Sequence, residues 1–329
     1  MFEDKKILFF SASFFGYQNE IKNKLALMGA HVDFYDERPK NNFLFKLLSR
    51  VDKRIVKIPI EKYYRDIITK TKDVDYDYVF FLKAELITLK VLKELKSHQK
   101  KAKFILYLWD SIADYGSVKD LHPIFDKILS FDLSDTKKYS FLSFRPLFYL
   151  DTYSQTSESE EIIKNDIIFI GTAHLDRYPV LKRLRDYCSL KKIKTYFFIY
   201  LQDRKLYYIW KFFSKDFRKA KKSDFSFSPL NKEEIKAIIQ NSNCVLDVEK
   251  SIQSGLTMRA IEVLGARKKL ITTNKAIIEY DFYNENNILV IDRSNPIIPE
   301  KFIQSAYTDI EESIYKKYSL EYWLTEVFK

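Results

Sequence analysis

Short apolar runs alternate with amphipathic helical patterns from the start of the chain. The segment "KKILFFSASFFGYQNEIKNKLALMGAHVDFYDE" predicts a strand at residues 7–10, a loop that holds Gly16, a helix at 18–28 and a second strand at 31–35. This is a βαβ unit. The alternation continues through "YDYVFFLKA", a helical pattern at 86–96 and "KFILYLWDS". Such compact apolar runs are typical of parallel strands that helices cover on both faces.

A second series of the same kind follows a polar interruption. The stretch "TYSQTSESEEIIKN" has few apolar residues, and it predicts a linker at about 151–165. A new strand, loop and helix then begin at "DIIFIGTAHLDRYPVLKRLRDYC", and strands follow at "KTYFFIY", "NCVLDVE", "KKLITTN" and "NILVIDR". Between them, Asn231 and Glu234 in "NKEEIKAIIQNS" have the spacing of a capping box.

These patterns predict an α/β protein with two tandem doubly wound, Rossmann-like domains. We place the domains at residues 1–155 and 156–310, and we expect a helix at 311–329 with Trp323 as an anchor on the first domain. The length of 329 residues is sufficient for two hydrophobic cores of ordinary size.

Targeting and redox features point to the interior of a cell. No apolar run approaches the roughly 20 residues that span a bilayer, and the start "MFEDKKILFFSASFF" is unlike a cleavable signal. The two cysteines, Cys188 and Cys244, lie far apart in apolar patterns, so we expect neither a disulfide nor a metal site from them. We therefore expect a cytoplasmic protein, in which any contact with an anionic membrane surface is peripheral.

The net charge of +11 does not identify the kind of partner, because the basic residues are spread along the whole chain. Residues 207–222, "YYIWKFFSKDFRKAKK", interleave aromatic and basic side chains. This pattern fits a single-strand nucleic-acid binder, a helix on a membrane surface, or a helix packed on its own domain, and we favour the last. No RNP, KH or helix-turn-helix signature occurs, so no nucleic-acid partner is expected.

The stretch "SIQSGLTMRAIEVLGARKKLITTN" contains two of the six glycines, Gly255 and Gly265. In doubly wound sheets, ligands bind beyond the carboxyl ends of the strands at a topological switch point. Gly255 would let backbone N–H groups approach a phosphate at a helix N-terminus, and Arg259 could bind the same group. Glu262 lies on the same helix face, where it could accept ribose hydroxyls. Gly265 is predicted to end the helix in the left-handed conformation.

An ordinary explanation is equally compatible with this spacing. Glycines commonly occur directly before and directly after helices. Arg259 with Glu262 could form a surface ion pair of little energetic value.

The segment "QSGLTMRAIEVLGARKKLITTN" followed by "YDFYNENNILVIDR" resembles the nucleotide-sugar domain of bacterial GT-B-type glycosyltransferases. The group concerned assembles capsule, exopolysaccharide and lipopolysaccharide. The resemblance covers about residues 165–300, with a looser match at "LYLWDS" and "FDLSD". This chain departs from the two-glutamate pattern of one subgroup, because Gly255 occupies the place of the first acid. The retaining outcome of that subgroup is therefore not carried over.

The resemblance implies a nucleotide-sugar donor held by the second domain, an acceptor held by the first, and transfer in a central cleft that the two domains face. The acceptor would be a glycan or a lipid-linked glycan at the inner face of the cell membrane. No cofactor or metal is implied. The DxD pairs in "DVDYD", at 73–77, precede a strand and do not suggest a metal site.

Donor contacts follow from the same resemblance, residue by residue. Arg259 would bind the diphosphate and Glu262 the ribose. Gly171 begins the turn after the first strand of the second domain, from which His174 or Arg177 would reach the diphosphate. The turn that binds the phosphates would comprise Ser254, Gly255 and Thr257.

A base for inverting transfer must be a carboxylate or a His near the acceptor hydroxyl. In "LYLWDSIADYG", Asp110 directly follows an apolar strand, and Asp114 lies one helical turn further on. We choose Asp110 as the catalytic base and Asp114 as the second candidate. A role as helix cap is the favoured alternative for Asp110, with Ser111 as a rival cap. Asp132 and Asp135 in "SFDLSD" have the same ambiguity.

Two further residues of the first domain have open roles. Trp109 could stack on a sugar or lie in the core. Gly16 could bring loop backbone near the donor, or it could serve ordinary turn geometry.

The predicted activity is glycosyl transfer. The alternatives are a non-transferring sugar-nucleotide enzyme such as an epimerase, a GT-B-like scaffold, and a basic nucleic-acid-binding protein.

Overall fold

The computed structural model describes residues 1–38, 53–114, 118–154, 164–250 and 254–329. The chain divides into two compact units. The first unit comprises residues 1–146 and 320–329, and the second comprises 147–319. The division therefore falls ahead of the boundary we expected at 155. Residues 155–163, in the predicted linker, lie outside the described part of the chain.

In its described part, the first unit contains a six-stranded parallel sheet with the order β2-β1-β3-β4-β5-β6. In the register, Phe9 pairs with Phe34 on one side and Phe80 on the other. The central strands are buried along almost their whole length, as expected for strands that helices cover on both faces. The strands are β1 (Lys6–Ser11), β2 (His31–Asp36), β3 (Tyr78–Leu82), β4 (Lys103–Leu108), β5 (Lys127–Ser130) and β6 (Ser143–Phe144).

Helices follow the strands in alternation. Thr88 shows how the sequence starts one of them, because its hydroxyl accepts a hydrogen bond from the Val91 N–H at 3.4 Å. The helices of this part of the chain are α1 (Tyr17–Leu27), α2 (Lys53–Thr71), α3 (Leu89–His98), α4 (Val118–Leu121) and α5 (Leu133–Lys138). Single 3-10 turns lie at Ile112–Asp114 and His122–Ile124.

The second unit contains a five-stranded parallel sheet with the order β11-β10-β9-β7-β8 among its described residues. Read from the β8 edge and numbered within the unit, this order is 2-1-3-4-5. The first five strands of the other sheet have the same order. Each sheet therefore has a switch point between its first and third strands, at β1/β3 and β7/β9. The strands are β7 (Asn165–Thr172), β8 (Thr195–Tyr200), β9 (Ser242–Asp247), β10 (Lys269–Thr272) and β11 (Ile288–Val290).

The predicted capping box is confirmed at the helix before β9. The Asn231 side chain accepts from the Glu234 N–H at 2.8 Å, and the Asn231 N–H donates to the Glu234 carboxylate at 2.7 Å. The helices of this unit are α6 (Asp151–Ser154), α7 (Arg177–Leu190), α8 (Arg204–Phe213), α9 (Lys232–Gln240), α10 (Met258–Gly265), α11 (Glu300–Gln304) and α12 (Glu312–Lys317).

The C-terminal segment forms two helices where one was expected. Helix α12 belongs to the second unit, and α13 (Leu320–Phe328) belongs to the first. Trp323 in α13 is fully buried, and its ring centroid lies 4.7 Å from that of Tyr107 on β4.

Gly265 does not have the predicted left-handed conformation. It is the last residue of α10, and the left-handed residue after the helix is Arg267, with φ of 50°. The glycine is needed for space, since a Cβ atom there would lie 2.5 Å from the Tyr149 ring. The Tyr315 hydroxyl also donates to the Gly265 carbonyl at 2.6 Å.

The two cysteines are buried free thiols. Among the described residues, none of the helices combines the length and apolar character needed to cross a bilayer.

Candidate functional site

The loops that follow β7, β9, β10 and β11 bring charged and polar side chains to the carboxyl edge of the second sheet. The predicted phosphate turn lies after β9, and its residues 251–253 are outside the described part of the chain. Helix α10 begins at Met258, because the Thr257 hydroxyl accepts from the Ala260 N–H at 3.2 Å and caps the helix.

Asn274 fixes the backbone of this turn. Its side-chain amide donates to the carbonyl of Ser254 at 3.0 Å and to that of Gly255 at 3.3 Å. The same side chain accepts from the Ala276 N–H at 3.0 Å and so caps the 3-10 turn Lys275–Glu279. The Asn at the end of "LITTN" therefore joins the loop after β10 to the turn that precedes α10.

Arg259 and Glu262 form a buried ion pair, so the alternative of a plain surface pair is wrong. The Arg259 Nη1 lies 2.8 Å from the Glu262 Oε2, and the two side chains are 16% and 2% exposed. Tyr153 on α6 hydrogen-bonds with this pair, and burial followed by the Glu262 charge raises the pKa of its phenol. Tyr153 lies in the polar stretch that predicted a linker, so no sequence pattern indicates this contact.

Asp247, the last residue of β9, lies at the switch point of the second sheet. It is 5% exposed, and burial raises the pKa of its carboxyl to about 6. The charges of Arg177 and Arg259 and a hydrogen bond with Thr257 counteract this rise. Asp247 thus has neighbours from the turn after β9, from α10 and from the start of α7. The sequence signal for Asp247 is the pair of acids in "LDVE" at a strand end.

Glu249 and Arg293 extend this network. The buried Glu249 carboxylate accepts from the Thr273 hydroxyl at 2.5 Å and pairs with Arg293 at 3.3 Å. Arg293 also donates to the Glu249 carbonyl at 2.8 Å and pairs with Asp176 at 3.3 Å. The loops after β7, β9, β10 and β11 are therefore linked by side-chain contacts.

Gly171 lies in β7 without a positive φ, and its role is spatial. A Cβ atom there would lie 2.8 Å from the Phe169 ring and 3.4 Å from the Arg177 guanidinium. That guanidinium stacks 5.9 Å from the Phe169 centroid, and its Nη1 donates to the Thr172 carbonyl at 2.8 Å. Its buried Nε has no acceptor among the described residues.

His174 lies in the turn between β7 and α7. Burial, and then the charges of Arg177 and Lys250, lower the pKa of its imidazole to about 4. At neutral pH His174 is therefore uncharged, and it can offer a ligand a hydrogen bond but not a positive charge.

The carboxyl edge of the first sheet holds a second cluster, after β2, β3 and β4. Lys83 and Ala84 have φ of 97° and 55°, which is strained for residues other than glycine. This turn directs the N–H groups of Ala84 and Glu85 at the Glu37 carboxylate, at 2.9 and 2.8 Å. Glu37 is fully buried, and burial raises the pKa of its carboxyl to about 7. No glycine marks this turn, so no sequence pattern predicts it.

Asp110 pairs with Lys83 at 2.7 Å, and its side chain is 37% exposed. Lys83 also pairs with Glu85 at 3.3 Å, and Arg38 lies 3.3 Å from the same Glu85 carboxylate. Burial opposes the charge on Lys83, but Asp110 and Glu85 outweigh it and hold the pKa of Lys83 above its usual value.

The helix-cap interpretation of Asp110 is wrong. The Ile112 N–H donates to Asp135 at 2.7 Å, and the Ser111 hydroxyl donates to Asp132 at 2.5 Å. Asp132 in turn caps α5 by accepting from the Ser134 N–H at 3.0 Å. Asp132 and Asp135 are buried and have structural roles. The Asp114 backbone ends the 3-10 turn, and its side chain lies outside the described part of the chain.

Aromatic side chains lie beside this cluster. The ring centroids of Trp109 and Phe14 are 5.5 Å apart, and Phe14 and Phe15 are exposed. Gly16 has φ of 80° and precedes α1 as its N-cap, so turn geometry accounts for the glycine. Its contact with a donor stays a prediction.

No group of three or more His, Cys, Asp or Glu side chains with the arrangement of a metal site occurs within the described ranges.

Comparison with known proteins shows the fold. No protein-family model matches the chain, and no curated protein matches its sequence. HepE from Anabaena, in complex with UDP and glucose, superposes with a TM-score of 0.63 at 10% identity, over 98% of this chain and 99% of that chain. A UDP-forming α,α-trehalose-phosphate synthase from Burkholderia xenovorans, in complex with glucose-6-phosphate, gives 0.64 at 8% identity, over 98% and 99%.

An α-glucosyltransferase in complex with UDP and a 13-mer DNA gives a TM-score of 0.57 at 12% identity, over 98% of this chain and 95% of that chain. These matches cover both units. The chain therefore has the α/β fold with two parallel-sheet domains of GT-B glycosyltransferase structures, and the predicted fold class is confirmed.

Proposed function

We propose that this protein is a glycosyltransferase that moves a sugar from a nucleotide-sugar donor to a growing surface polysaccharide or a lipid-linked oligosaccharide. The fold supports this proposal. The observation that carries it is the cluster around Asp247, where the charges of Arg177 and Arg259 and the cap residue Thr257 converge at the switch point of the second sheet. This is where doubly wound folds bind nucleotides.

The donor diphosphate is assigned to the turn Ser254–Thr257, the N-terminus of α10 and Arg259. Backbone N–H groups and the helix dipole favour an anion there, and a guanidinium can bind two phosphate oxygens at once. Arg177, with its buried Nε, and the neutral His174 supply further donors from the turn after β7. Glu262 is assigned to the ribose hydroxyls.

The acceptor is assigned to the first unit, with Asp110 as the general base. Asp110 takes the proton from the acceptor hydroxyl while that oxygen forms a bond to the anomeric carbon of the donor. The bond from this carbon to the diphosphate oxygen breaks, and the nucleoside diphosphate leaves with an additional negative charge. Arg259 and Arg177 stabilise that charge. Direct displacement of this kind inverts the anomeric centre, and no metal is required.

Titration calorimetry with a panel of nucleoside diphosphates tests the donor site. UDP is the first ligand to use, because the HepE structures contain UDP and UDP-glucose. Arg259→Ala should weaken binding roughly 10- to 100-fold, as expected for loss of a charged hydrogen bond. Arg267→Ala is the matched control, because Arg267 pairs with Asp309 and Glu312 on an exposed surface. Salt-sensitive binding of oligonucleotides in place of nucleotides would contradict the proposal.

Turnover requires a separate experiment. A donor screen by mass spectrometry, with a lipid-linked oligosaccharide as acceptor, should yield a product whose mass has increased by one sugar. A protein that binds the nucleotide sugar and forms no such product, but converts the donor itself, would be a non-transferring sugar-nucleotide enzyme. A lipid-linked acceptor would place the reaction at the inner face of the cell membrane.

A further inference from the structure

Helix α8 and the segment after it carry apolar side chains on two opposite faces. On the inner face, Tyr207 is buried, and the Trp210 ring packs 5.3 Å from that of the buried Phe217. This face accounts for the attachment of the helix to its own unit. It does not account for the four apolar residues of the other face.

The outer face is an apolar stripe that consists of Tyr208, Ile209, Phe212 and Phe213. The spacing of these residues, i, i+1, i+4 and i+5, places them along one side of the helix. All four are exposed, and Phe212 and Phe213 are 74% and 78% exposed. Their two rings contact each other, with centroids 5.0 Å apart, so they form one apolar surface.

Basic residues flank the stripe. Residues 204–222 contain eight Lys and Arg side chains and a single acid, Asp216, which leaves a net charge of +7 for this segment. Most of the basic side chains are exposed, including those of Lys205, Lys215 and Lys219. An apolar stripe among basic residues matches the interface of an anionic bilayer, where acyl chains lie directly beneath negatively charged headgroups.

We infer that α8 is a docking surface for an anionic lipid bilayer, in which Phe212 and Phe213 enter the interface and the flanking lysines contact the headgroups. Charge decides against a second copy of this chain as the occupant, because two such surfaces would each bring a charge of +7 to the contact. The inference is independent of glycosyl transfer, since docking requires neither donor nor acceptor.

The test is co-sedimentation of the full chain with vesicles of phosphatidylcholine, with and without phosphatidylglycerol. The protein should bind the vesicles that contain phosphatidylglycerol, and rising salt should weaken the binding. The double substitution Phe212→Ser and Phe213→Ser should reduce the partition coefficient by about tenfold or more, because two large apolar groups no longer enter the interface. Leu190→Ser is the matched control, since Leu190 is 85% exposed on another helix and should not affect binding.

Charge is tested in the same assay. Lys215→Glu with Lys219→Glu should weaken binding to the anionic vesicles, and Lys191→Glu with Lys194→Glu, which changes the net charge equally, should have little effect. Wild-type protein that remains in the supernatant with anionic vesicles would overturn the inference. Two other results would also overturn it: a folded Phe212/Phe213 variant that binds vesicles as the wild type does, and a stripe that mediates binding of single-stranded oligonucleotides or self-association without binding vesicles.

Discussion

The two sheets have the same order of their first five strands, yet they place different chemistry at the same edge. After β9, the acids Asp247 and Glu249 are buried and have arginines as partners. After β4, Asp110 is 37% exposed and pairs with Lys83. The turn after β1 exposes Phe14 and Phe15, whereas the turn after β7 leads to Arg177.

In the proposed reaction, this difference corresponds to a division of roles. Buried acids that hold guanidinium groups fix the position of positive charge before a ligand arrives, which suits a diphosphate. A carboxylate that remains accessible, with aromatic surface beside it, suits a hydroxyl-bearing acceptor and proton transfer. We expect substitutions in the second unit to change donor affinity, and substitutions around Asp110 to change turnover.

The largest expected effect is that of Asp110→Asn on turnover. If Asp110 is the base, the variant should lose about 100-fold or more in kcat, because general-base catalysis contributes 10²- to 10⁴-fold. Nucleotide affinity measured by calorimetry should be nearly unchanged. Asn is similar in shape and can still accept a hydrogen bond from Lys83, so the fold should persist.

Glu85→Gln is the control for this experiment, because Glu85 is the other acid that pairs with Lys83. An equal loss of kcat in both variants would mean that the placement of Lys83 matters, not proton transfer to Asp110. Full activity in Asp110→Asn would exclude it as the base and shift the assignment to Asp114.

The pH dependence of stability should differ between the units. Glu37 has a pKa raised from 4.5 to about 7, so its contribution to stability is complete below pH 4.5 and is lost as the pH rises through 7. The loss should be about 3 kcal/mol in total, at 1.36 kcal/mol for each pKa unit. Urea unfolding between pH 4.5 and 8 measures it, and Glu37→Gln should flatten the slope.

In the second unit, two pKa shifts have opposite effects on the pH dependence of stability. Asp247, raised from 3.8 to about 6, loses its contribution as the pH rises through that range. His174, lowered from 6.5 to about 4, loses its contribution as the pH falls through its range. Because these windows overlap, the sum should be nearly flat, and Asp247→Asn should reveal a stability that rises from pH 4 to 6.5. For the first unit, if Glu37→Gln leaves the slope of unfolding free energy against pH unchanged, the assignment of that slope to Glu37 would be contradicted.

The sequence predicted the elements whose signals are local. Apolar runs located most strands within one or two residues, and Asn231 with Glu234 marked a cap that the structure contains. The site was predicted only in part, because its geometry depends on partners distant in sequence. Lys83 and Ala84 adopt left-handed conformations without a glycine, and Tyr153 reaches Glu262 from a segment whose polarity suggested a linker.

Glu262→Ala tests how the buried acids of the second unit act. Nucleotide affinity should fall by roughly 1.5 to 3 kcal/mol, the range for a lost hydrogen bond to a charged group. Inorganic pyrophosphate separates the two routes, because it lacks a ribose. If Glu262 binds the ribose, pyrophosphate affinity should persist; if Glu262 acts by holding Arg259, it should fall as well. Glu233→Ala, on the exposed face of α9, should change neither. Unchanged nucleotide affinity in folded Glu262→Ala would rule out both routes.

The glycines extend the comparison to stability, where the expected effects are smaller. Gly265 in the second unit is helical, and it lies against the Tyr149 ring. Gly265→Ala should lower the free energy of unfolding by about 1 to 3 kcal/mol through overpacking, and Gly265→Asn should lower it further. Thermal or urea unfolding of the full chain measures both variants. Equal stability of Gly265→Ala and wild type would show that the ring can move aside.

Gly16 in the first unit has the opposite requirement, because its φ of 80° demands backbone freedom. Gly16→Ala should cost about 1 to 2 kcal/mol, the penalty of a left-handed conformation for a residue with a Cβ atom. Asn adopts this conformation more readily and can also cap α1, so Gly16→Asn should cost less than Gly16→Ala. The ranking of Ala and Asn should therefore reverse between Gly16 and Gly265. The same ranking at both positions would mean that one constraint, and not two, selects glycine in the two units.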